Sequence, residues 1–296
     1  MAATVISGKN LSQEVRQSLA RRLEQLKSQG VQPGLTVVLV GDDPASDSYV
    51  RGKEKACLEL GMVSKTLRFP ATMTERDLLN LVTDLNADDA VDGILVQLPL
   101  PKAINPDKVI SAIDPSKDVD GFHPVSLGRL LQGQETFVSC TPFGVVKILE
   151  KTGVPLPGAE VVVVGRSNIV GKPVALLLMQ APYHCTVTVC HTKTRDLKAH
   201  TLRADIVIVA AGRPGMVTAD MIREGACVID VGVNRVPDSS RASGFRLVGD
   251  TDYEPIAQKA SFVTPVPGGV GPMTITMLMA NTVRAACLRR GLPVEL

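Results

Sequence analysis

The sequence predicts an α/β protein: two α/β domains flanking a cleft, the second of them Rossmann-like. Three observations carry this. The chain has 296 residues, and a single hydrophobic core stops growing at roughly 250–300 residues. Apolar runs of strand length alternate with segments of helical periodicity, the mark of parallel sheets covered by helices. A fresh set of such runs begins near Ala159. The expected division is 1–145, completed by a last helix at 273–296, and 146–272.

The elements follow in order. Leu11, Val15, Leu19, Leu23 and Leu26 recur at helical spacing and stop at Gly30. Residues 35–40 form a continuous apolar strand, followed by a polar loop from Gly41. A helix is expected over about 46–60, ending at Gly61. Residues 91–98 read as a second buried strand, broken by Pro99 and Pro101. A Pro- and Asp-rich passage leads to Gly121, and 141–151 reads as a helix with Pro142 at its start. In the second set, strands are expected at 160–164, 186–190, 205–210 and 226–231. The last helix, about 272–289, follows a glycine-rich stretch and is expected to cross back to the first domain.

Composition narrows the function. Lys and Arg number 32 against 30 Asp and Glu, a formal charge of +2, so no broad basic field exists to hold a phosphate backbone. Aromatic residues are 3% of the chain, too few for a base-stacking platform, and nucleic acid is not an expected partner. The apolar stretch from Ala2 to Ile6 is interrupted by Lys9, short of a secretory core, and no run approaches the ~18 apolar residues of a membrane helix. Arg16, Arg21 and Arg22 share their segment with Glu14 and Glu24, unlike a transit peptide. The six cysteines sit singly, mostly in apolar runs, as reduced core residues do. A cytoplasmic protein without a membrane partner is expected. His184-Cys185 and Cys190-His191 resemble a metal box, but the Thr-Val-Thr-Val between them is strand-like and sends the two cysteines to opposite faces. No metal site is expected.

The apolar run Val161–Val164 leads into Gly165-Arg166-Ser167-Asn168-Ile169-Val170-Gly171-Lys172-Pro173: a strand, a glycine-bearing turn and a helix start. Phosphates bind in such turns because glycine admits close backbone approach and a helix start supplies N–H donors. Ser167 stands where the dinucleotide fingerprint has its second glycine. Pro173 stands where a P-loop has its magnesium-binding hydroxyl, which disfavours ATP hydrolysis. About twenty residues past such a turn an acid selects NAD through the ribose. Here the chain has His191-Thr192-Lys193-Thr194-Arg195, with no acid until Asp196. With Arg166, that suggests a place for the extra phosphate of NADP; the alternative is a solvated basic loop.

Ser46, Tyr49 and Lys53 are spaced i, i+3, i+7, one narrow helix face that continues to the apolar Cys57 and Leu60. That face fits either proton chemistry by a partly desolvated lysine, presented with Tyr49 at one end, or a surface helix that Lys53 merely solubilises. Gln97 ends an apolar strand where it would face the carboxyl-end crevice of a parallel sheet. In Lys117-Asp118-Val119-Asp120-Gly121, a carboxylate could accept two hydrogen bonds from an amidine-like edge, or could cap a loop. The stretch Thr264–Thr274, with three prolines and three glycines, is a stiff loop able to lie flat against a ligand.

Together, Tyr49-Val-Arg-Gly-Lys53, Asp92-Gly-Ile-Leu-Val-Gln97-Leu-Pro-Leu-Pro101, Lys117-Asp-Val-Asp120-Gly121, Cys140-Thr-Pro142, Gly165-Arg-Ser167 and the Pro265–Thr274 loop span nearly the whole chain. In that order they closely resemble the bifunctional methylenetetrahydrofolate dehydrogenase/methenyltetrahydrofolate cyclohydrolase family, often called FolD in bacteria. The resemblance implies NADP-dependent oxidation of 5,10-methylenetetrahydrofolate to the methenyl compound, then hydrolysis to 10-formyltetrahydrofolate. It implies a folate-binding domain followed by a Rossmann-like NADP-binding domain, and a homodimer through the latter. By resemblance, Lys53 is the acid/base and polarising group, Gln97 positions or tunes its amine, and Ser46 helps the proton relay. Tyr49 stacks on or orients the folate, and Asp120 holds the pterin. Gly165, Arg166 and Ser167 bind the cofactor, with Thr192 near the added phosphate and Val233 near the nicotinamide side. Pro267, Gly268 and Gly269 shape the folate side. The alternative, a monofunctional NADP-dependent dehydrogenase, has the presence of both Lys53 and Gln97 against it.

Overall fold

The strand Gly34–Val40 is buried along its whole length. In the computed structural model it is the centre of a three-stranded parallel sheet, between Val63–Phe69 and Gly93–Val96. The structure describes residues 2–241 and 244–294. This sheet belongs to one of two units into which the chain divides, made of Gln13–Cys140 and the chain from Ile275 onward. Val38, Val40, Ile94 and Val96 pack against Leu78, Val82 and Leu85 of the helix Glu75–Ala87 and against Val109 of Pro106–Ala112.

The helix after the central strand runs Pro44–Glu59, starting ahead of its expected position. Pro44 has no N–H to satisfy, so the first turn accepts it, and the Asp43 carboxylate receives the Ser46 amide at 2.8 Å. Neither Val63–Phe69 nor Glu75–Ala87 is among the expected elements. The strand's residues are exposed or only partly buried, so it carries no apolar run. The helix has Leu78, Val82 and Leu85 at helical spacing, and its cap is Thr74, whose hydroxyl accepts the Asp77 amide at 3.1 Å.

The end of that helix is held by Lys117, which is 2% exposed. Its ammonium donates to the carbonyls of Leu85, at 2.9 Å, and Asp88, at 2.7 Å, where a helix carries negative dipole. Burial, and secondarily Arg289, holds its pKa below the ordinary lysine range. Lys117→Met leaves the Leu85 carbonyl without its ammonium donor and the Asp88 carbonyl with the Val91 amide alone, and removes the cost of desolvating the amine. The net expected loss is about 2 kcal/mol of unfolding free energy, read by urea titration; an unchanged midpoint contradicts it.

The second unit comprises residues up to Ser12 and Thr141–Thr274. Its six-stranded sheet has the order Thr4–Val5, Phe262–Val263, Cys227–Asp230, Ile206–Val209, Glu160–Val164, Thr186–Cys190, with parallel pairing throughout. The first residues therefore fall here and not with 1–145. Thr4–Val5 lies beside Phe262–Val263, and a strand of two residues leaves no periodicity to read. Glu160–Val164 is flanked by the next strand in sequence on one side and by Ile206–Val209 on the other. That reversal of direction is the place where doubly wound sheets open a crevice for nucleotides. Asn234–Pro237 and Phe245–Val248 form a separate antiparallel ribbon.

Cys185 and Cys190 flank the strand Thr186–Cys190, and both are buried. The Cys185 thiol donates to the Leu156 carbonyl at 3.2 Å. All six cysteines are free thiols. Among the described residues, no helix is long and apolar enough to cross a membrane.

Candidate active site

In the first unit, the Pro44–Glu59 helix buries Ser46, Val50, Lys53, Ala56 and Cys57 along one side. Lys53 is thus not presented at an open end, as its face suggested, but is 9% exposed, while Tyr49 at the margin is 46% exposed. Gly52 lets the helix approach Ile275, whose Cδ1 lies 3.3 Å from where a Cβ would stand. Cys57 Sγ lies 3.3 Å from the Met279 sulfur.

The Lys53 amine donates to Gln97 Oε1 at 2.9 Å. Gln97 follows the strand Gly93–Val96, at the carboxyl edge of a sheet whose chain order also reverses about its central strand. Its Nε2 donates to the Leu98 carbonyl at 2.6 Å, which fixes the amide so that Oε1 faces the lysine. A neutral amide oxygen places the amine and favours its proton less than a carboxylate there would. Burial dominates and holds the Lys53 pKa below the ordinary lysine value, opposed by the charge of Asp120 and by Cys140.

The turn after Lys117 separates its two acids. Asp118 is 1% exposed and accepts the Phe122 amide at 3.1 Å, the His123 amide at 2.9 Å and the Ser126 hydroxyl at 2.7 Å. It organises the start of the helix Pro124–Leu131, and burial pushes its carboxyl up to about 6. Asp120 stays available, with its carboxyl beside Lys53 and the Cys140 thiol. Burial raises the Asp120 pKa while Lys53 lowers it. Burial and then Asp120 keep the Cys140 thiol protonated. The structure thus brings Lys53, Gln97 and Asp120 together with Cys140, and Ser46 is buried on the same helix face.

In the second unit, Gly165, Arg166 and Ser167 form the turn at the carboxyl end of Glu160–Val164. Gly165 has φ +132°, and a Cβ on it would overlap the Ala210 carbonyl oxygen; one on Gly171 would overlap the Gly165 carbonyl oxygen. The turn is therefore packed backbone to backbone, a cradle that a side chain would fill. Ser167 Oγ accepts the Val170 amide at 3.1 Å as the helix Gly171–Met179 begins. Arg166 and Ser167 are exposed, as are Thr192, Lys193 and Arg195 beyond the neighbouring strand. The first acid after that strand, Asp196, is committed to capping Leu197–Leu202 through the Ala199 amide at 3.1 Å. A phosphate-bearing ligand fits this donor set.

Val233 is 47% exposed, just past Cys227–Asp230. Two buried acids that no motif marks shape its surroundings. Asp250 accepts the Ala211 and Gly212 amides, each at 2.7 Å, and the Asn234 side-chain amide at 2.8 Å. Asp230 accepts the amides of Gly232 at 2.9 Å, Asp250 at 3.0 Å and Thr251 at 2.9 Å. An acid ending an apolar strand before Val231-Gly232, and one directly after Gly249, are the signals that could have found them. Pro267 and Gly268 lie in the loop before Val270, which receives the Lys9 amide on the Gly268 carbonyl at 3.1 Å. Gly269 is buried where a Cβ would press on Pro265 and Thr264.

One unit with a glycine turn of nucleotide-binding type at the switch point of its sheet, and another with a buried lysine held by an amide near a carboxylate, define an enzyme that joins dinucleotide chemistry to acid–base chemistry. The family model for the tetrahydrofolate dehydrogenase/cyclohydrolase catalytic domain matches residues 6–120, and that for the NAD(P)-binding domain matches 139–290. The chain belongs to the tetrahydrofolate dehydrogenase/cyclohydrolase family. It is 56% identical over 286 residues to the bifunctional protein FolD of Bacillus pumilus, covering 97% of this chain and 98% of that one. The crystal structure of the bifunctional FolD from Campylobacter jejuni is 48% identical with a TM-score of 0.92, covering 97% of this chain and 100% of that one. The Trypanosoma brucei enzyme, crystallised with NADP cofactor and an inhibitor, is 39% identical with a TM-score of 0.93, covering 98% and 99%.

Proposed function

We propose that this protein carries both activities of its family: NADP-dependent oxidation of 5,10-methylenetetrahydrofolate and hydrolysis of the methenyl product to 10-formyltetrahydrofolate. The observation that carries the reading is the Lys53 amine, buried, bonded to the neutral Gln97 and acted on by Asp120. A lysine so desolvated holds more free amine near neutrality than an exposed one.

The Gly165–Ser167 turn would hold NADP, which would supply the acceptor for the hydride of the one-carbon bridge. Asp120 accepts hydrogen bonds from the pterin edge, and the half-exposed Tyr49 ring orients the folate. In the second step water adds to the amidinium carbon, and Lys53 takes the proton that water loses and hands it on as the ring opens. Gln97 keeps the amine aimed, and Ser46 assists the relay. The cationic methenyl substrate disfavours the ammonium form of Lys53, which suits a base. Pro267, Gly268 and Gly269 shape the folate side, and Val233 lies toward the nicotinamide. Hydration needs no hydride acceptor, so the protein without dinucleotide should consume methenyltetrahydrofolate faster than buffer alone; decay at the buffer rate would leave only a dehydrogenase.

Gly165, Arg166 and Ser167 hold the dinucleotide, with Thr192 near its added phosphate. A charge-assisted hydrogen bond from Arg166 contributes about 1.5–3 kcal/mol. The kcat/KM for NADP should therefore exceed that for NAD by roughly tenfold or more, and Arg166→Ala should remove most of the difference. Equal efficiency with NAD would contradict this assignment. The same reading places the protein in the cytoplasm as a homodimer formed through the dinucleotide unit, which sedimentation of the purified chain tests.

A further inference from the structure

The Lys117–Gly121 turn and the Val138–Cys140 segment run against each other, and the Cys140 thiol donates to the Val119 carbonyl at 3.4 Å. Gly121 has φ +70°, and a Cβ on it would collide with the Ser139 nitrogen and the Val138 carbonyl carbon. Beside that contact lies Asn281, 1% exposed, on the Val270–Arg289 helix. Its Nδ2 donates to the Val119 carbonyl at 2.8 Å and to the Val138 carbonyl at 2.9 Å, and lies 3.7 Å from Cys140 Sγ. An amide nitrogen has two hydrogens, and here both are taken by backbone. One accepting carbonyl immediately precedes Asp120, and the other lies two residues before Cys140.

We propose that Asn281 is a positioning residue of the hydration site: its side-chain amide clamps these two segments and thereby sets the Asp120 carboxylate and the Cys140 thiol against Lys53. Asn281 makes no bond to Lys53 or Gln97 and acts only through the groups it holds. The inference deepens the proposed function and rests on Lys53 being the base.

A clamp of this kind differs from a packing residue in what its removal changes. The groups acting on Lys53 are Asp120 and Cys140, with Gln97 as its neutral hydrogen-bond partner. Asp118, raised chiefly by burial and secondarily by Asp120, acts in turn on Cys140. The negative charge of Asp120 favours the ammonium form of Lys53. A turn released from Asn281 lets that charge move away, so the amine loses its proton at lower pH.

The test compares wild type with Asn281→Leu, Asn281→Ser, Thr282→Val and Lys53→Met. Hydration of methenyltetrahydrofolate is followed across pH, with thermal unfolding of each protein. Asn281→Leu keeps apolar bulk without a donor, and Asn281→Ser keeps one donor should the leucine variant not fold. Thr282 is buried one residue on, and its hydroxyl donates within the helix to the Leu278 carbonyl at 2.8 Å, so Thr282→Val measures simple loss of stability. The expected result for the Asn281 variants is a fall in kcat of roughly tenfold and a midpoint lower by about half a pH unit. The Kd for NADP, titrated alongside, stays at the wild-type value, and Thr282→Val shifts only thermal stability. Folded Asn281 variants with wild-type kcat and midpoint overturn the inference while an inactive Lys53→Met leaves the proposed function standing. Hydration that persists in Lys53→Met overturns the reading of Lys53 and this inference with it.

Discussion

Lys53→Met should lower enzyme-dependent hydration of methenyltetrahydrofolate by about 1,000-fold, within the range for removing a general acid–base group. Methionine matches the apolar stem of lysine, one atom shorter, and has no amine to donate to Gln97. The protein should remain folded, because the substitution also removes a buried amine whose charged form burial disfavours. Cofactor affinity should hold. In wild type the hydration rate should rise with pH as the amine loses its proton, with a midpoint below the ordinary lysine value of 10.5. Stability carries the same sign. A depressed folded pKa means that protonated Lys53 costs the folded state free energy, and the cost disappears as pH rises through the folded value toward 10.5. Wild type should therefore gain stability relative to Lys53→Met over that window. Undiminished hydration in the variant would remove Lys53 from the mechanism.

Gly165→Ala should raise the Kd for NADP by roughly 100-fold, corresponding to about 3 kcal/mol. Two costs combine. A φ of +132° is a conformation that side chains rarely adopt, and the added Cβ would overlap the Ala210 carbonyl oxygen. That atom is backbone at the end of a buried strand and cannot swing away as a side-chain tip would. The turn must open, and Arg166 and Ser167 move with it. Lys53, Gln97 and Asp120 belong to the other unit, so hydration without cofactor should stay within about twofold of wild type if the cost is confined to the turn. Titration with NADP alongside a hydration assay separates the two effects. Wild-type affinity in a folded Gly165→Ala protein would show that the turn does not hold the dinucleotide.

Most strands of the two parallel sheets are legible in the sequence, most clearly where burial on both faces leaves an apolar run, as in Val161–Val164. Val63–Phe69 escapes because its residues are exposed or half-buried, and Thr4–Val5 because two residues carry no period. The spacing of Ser46, Tyr49 and Lys53 locates the chemical helix face. It does not show that the amine is buried, which depends on Val50 and Ala56 lying on the same side. Nor can spacing separate Asp118 from Asp120, since the difference lies in three donors that fold back on Asp118 alone. Asn281 reaches a carbonyl 162 residues away, and Asp250 binds amides 38 and 39 residues away. Such bonds have no local signature. The recognisable motifs mark the groups proposed to meet substrate, and these distant polar side chains hold the surrounding loops in place.

The central claim is that one chain carries both reactions, and product analysis of the purified protein with methylenetetrahydrofolate and NADP tests it most directly. NADPH and 10-formyltetrahydrofolate should appear together, with little methenyl intermediate. Methenyltetrahydrofolate accumulating one-for-one with NADPH, and hydrating no faster than in buffer, would contradict the claim and leave a dehydrogenase in which Lys53 and Gln97 serve another purpose.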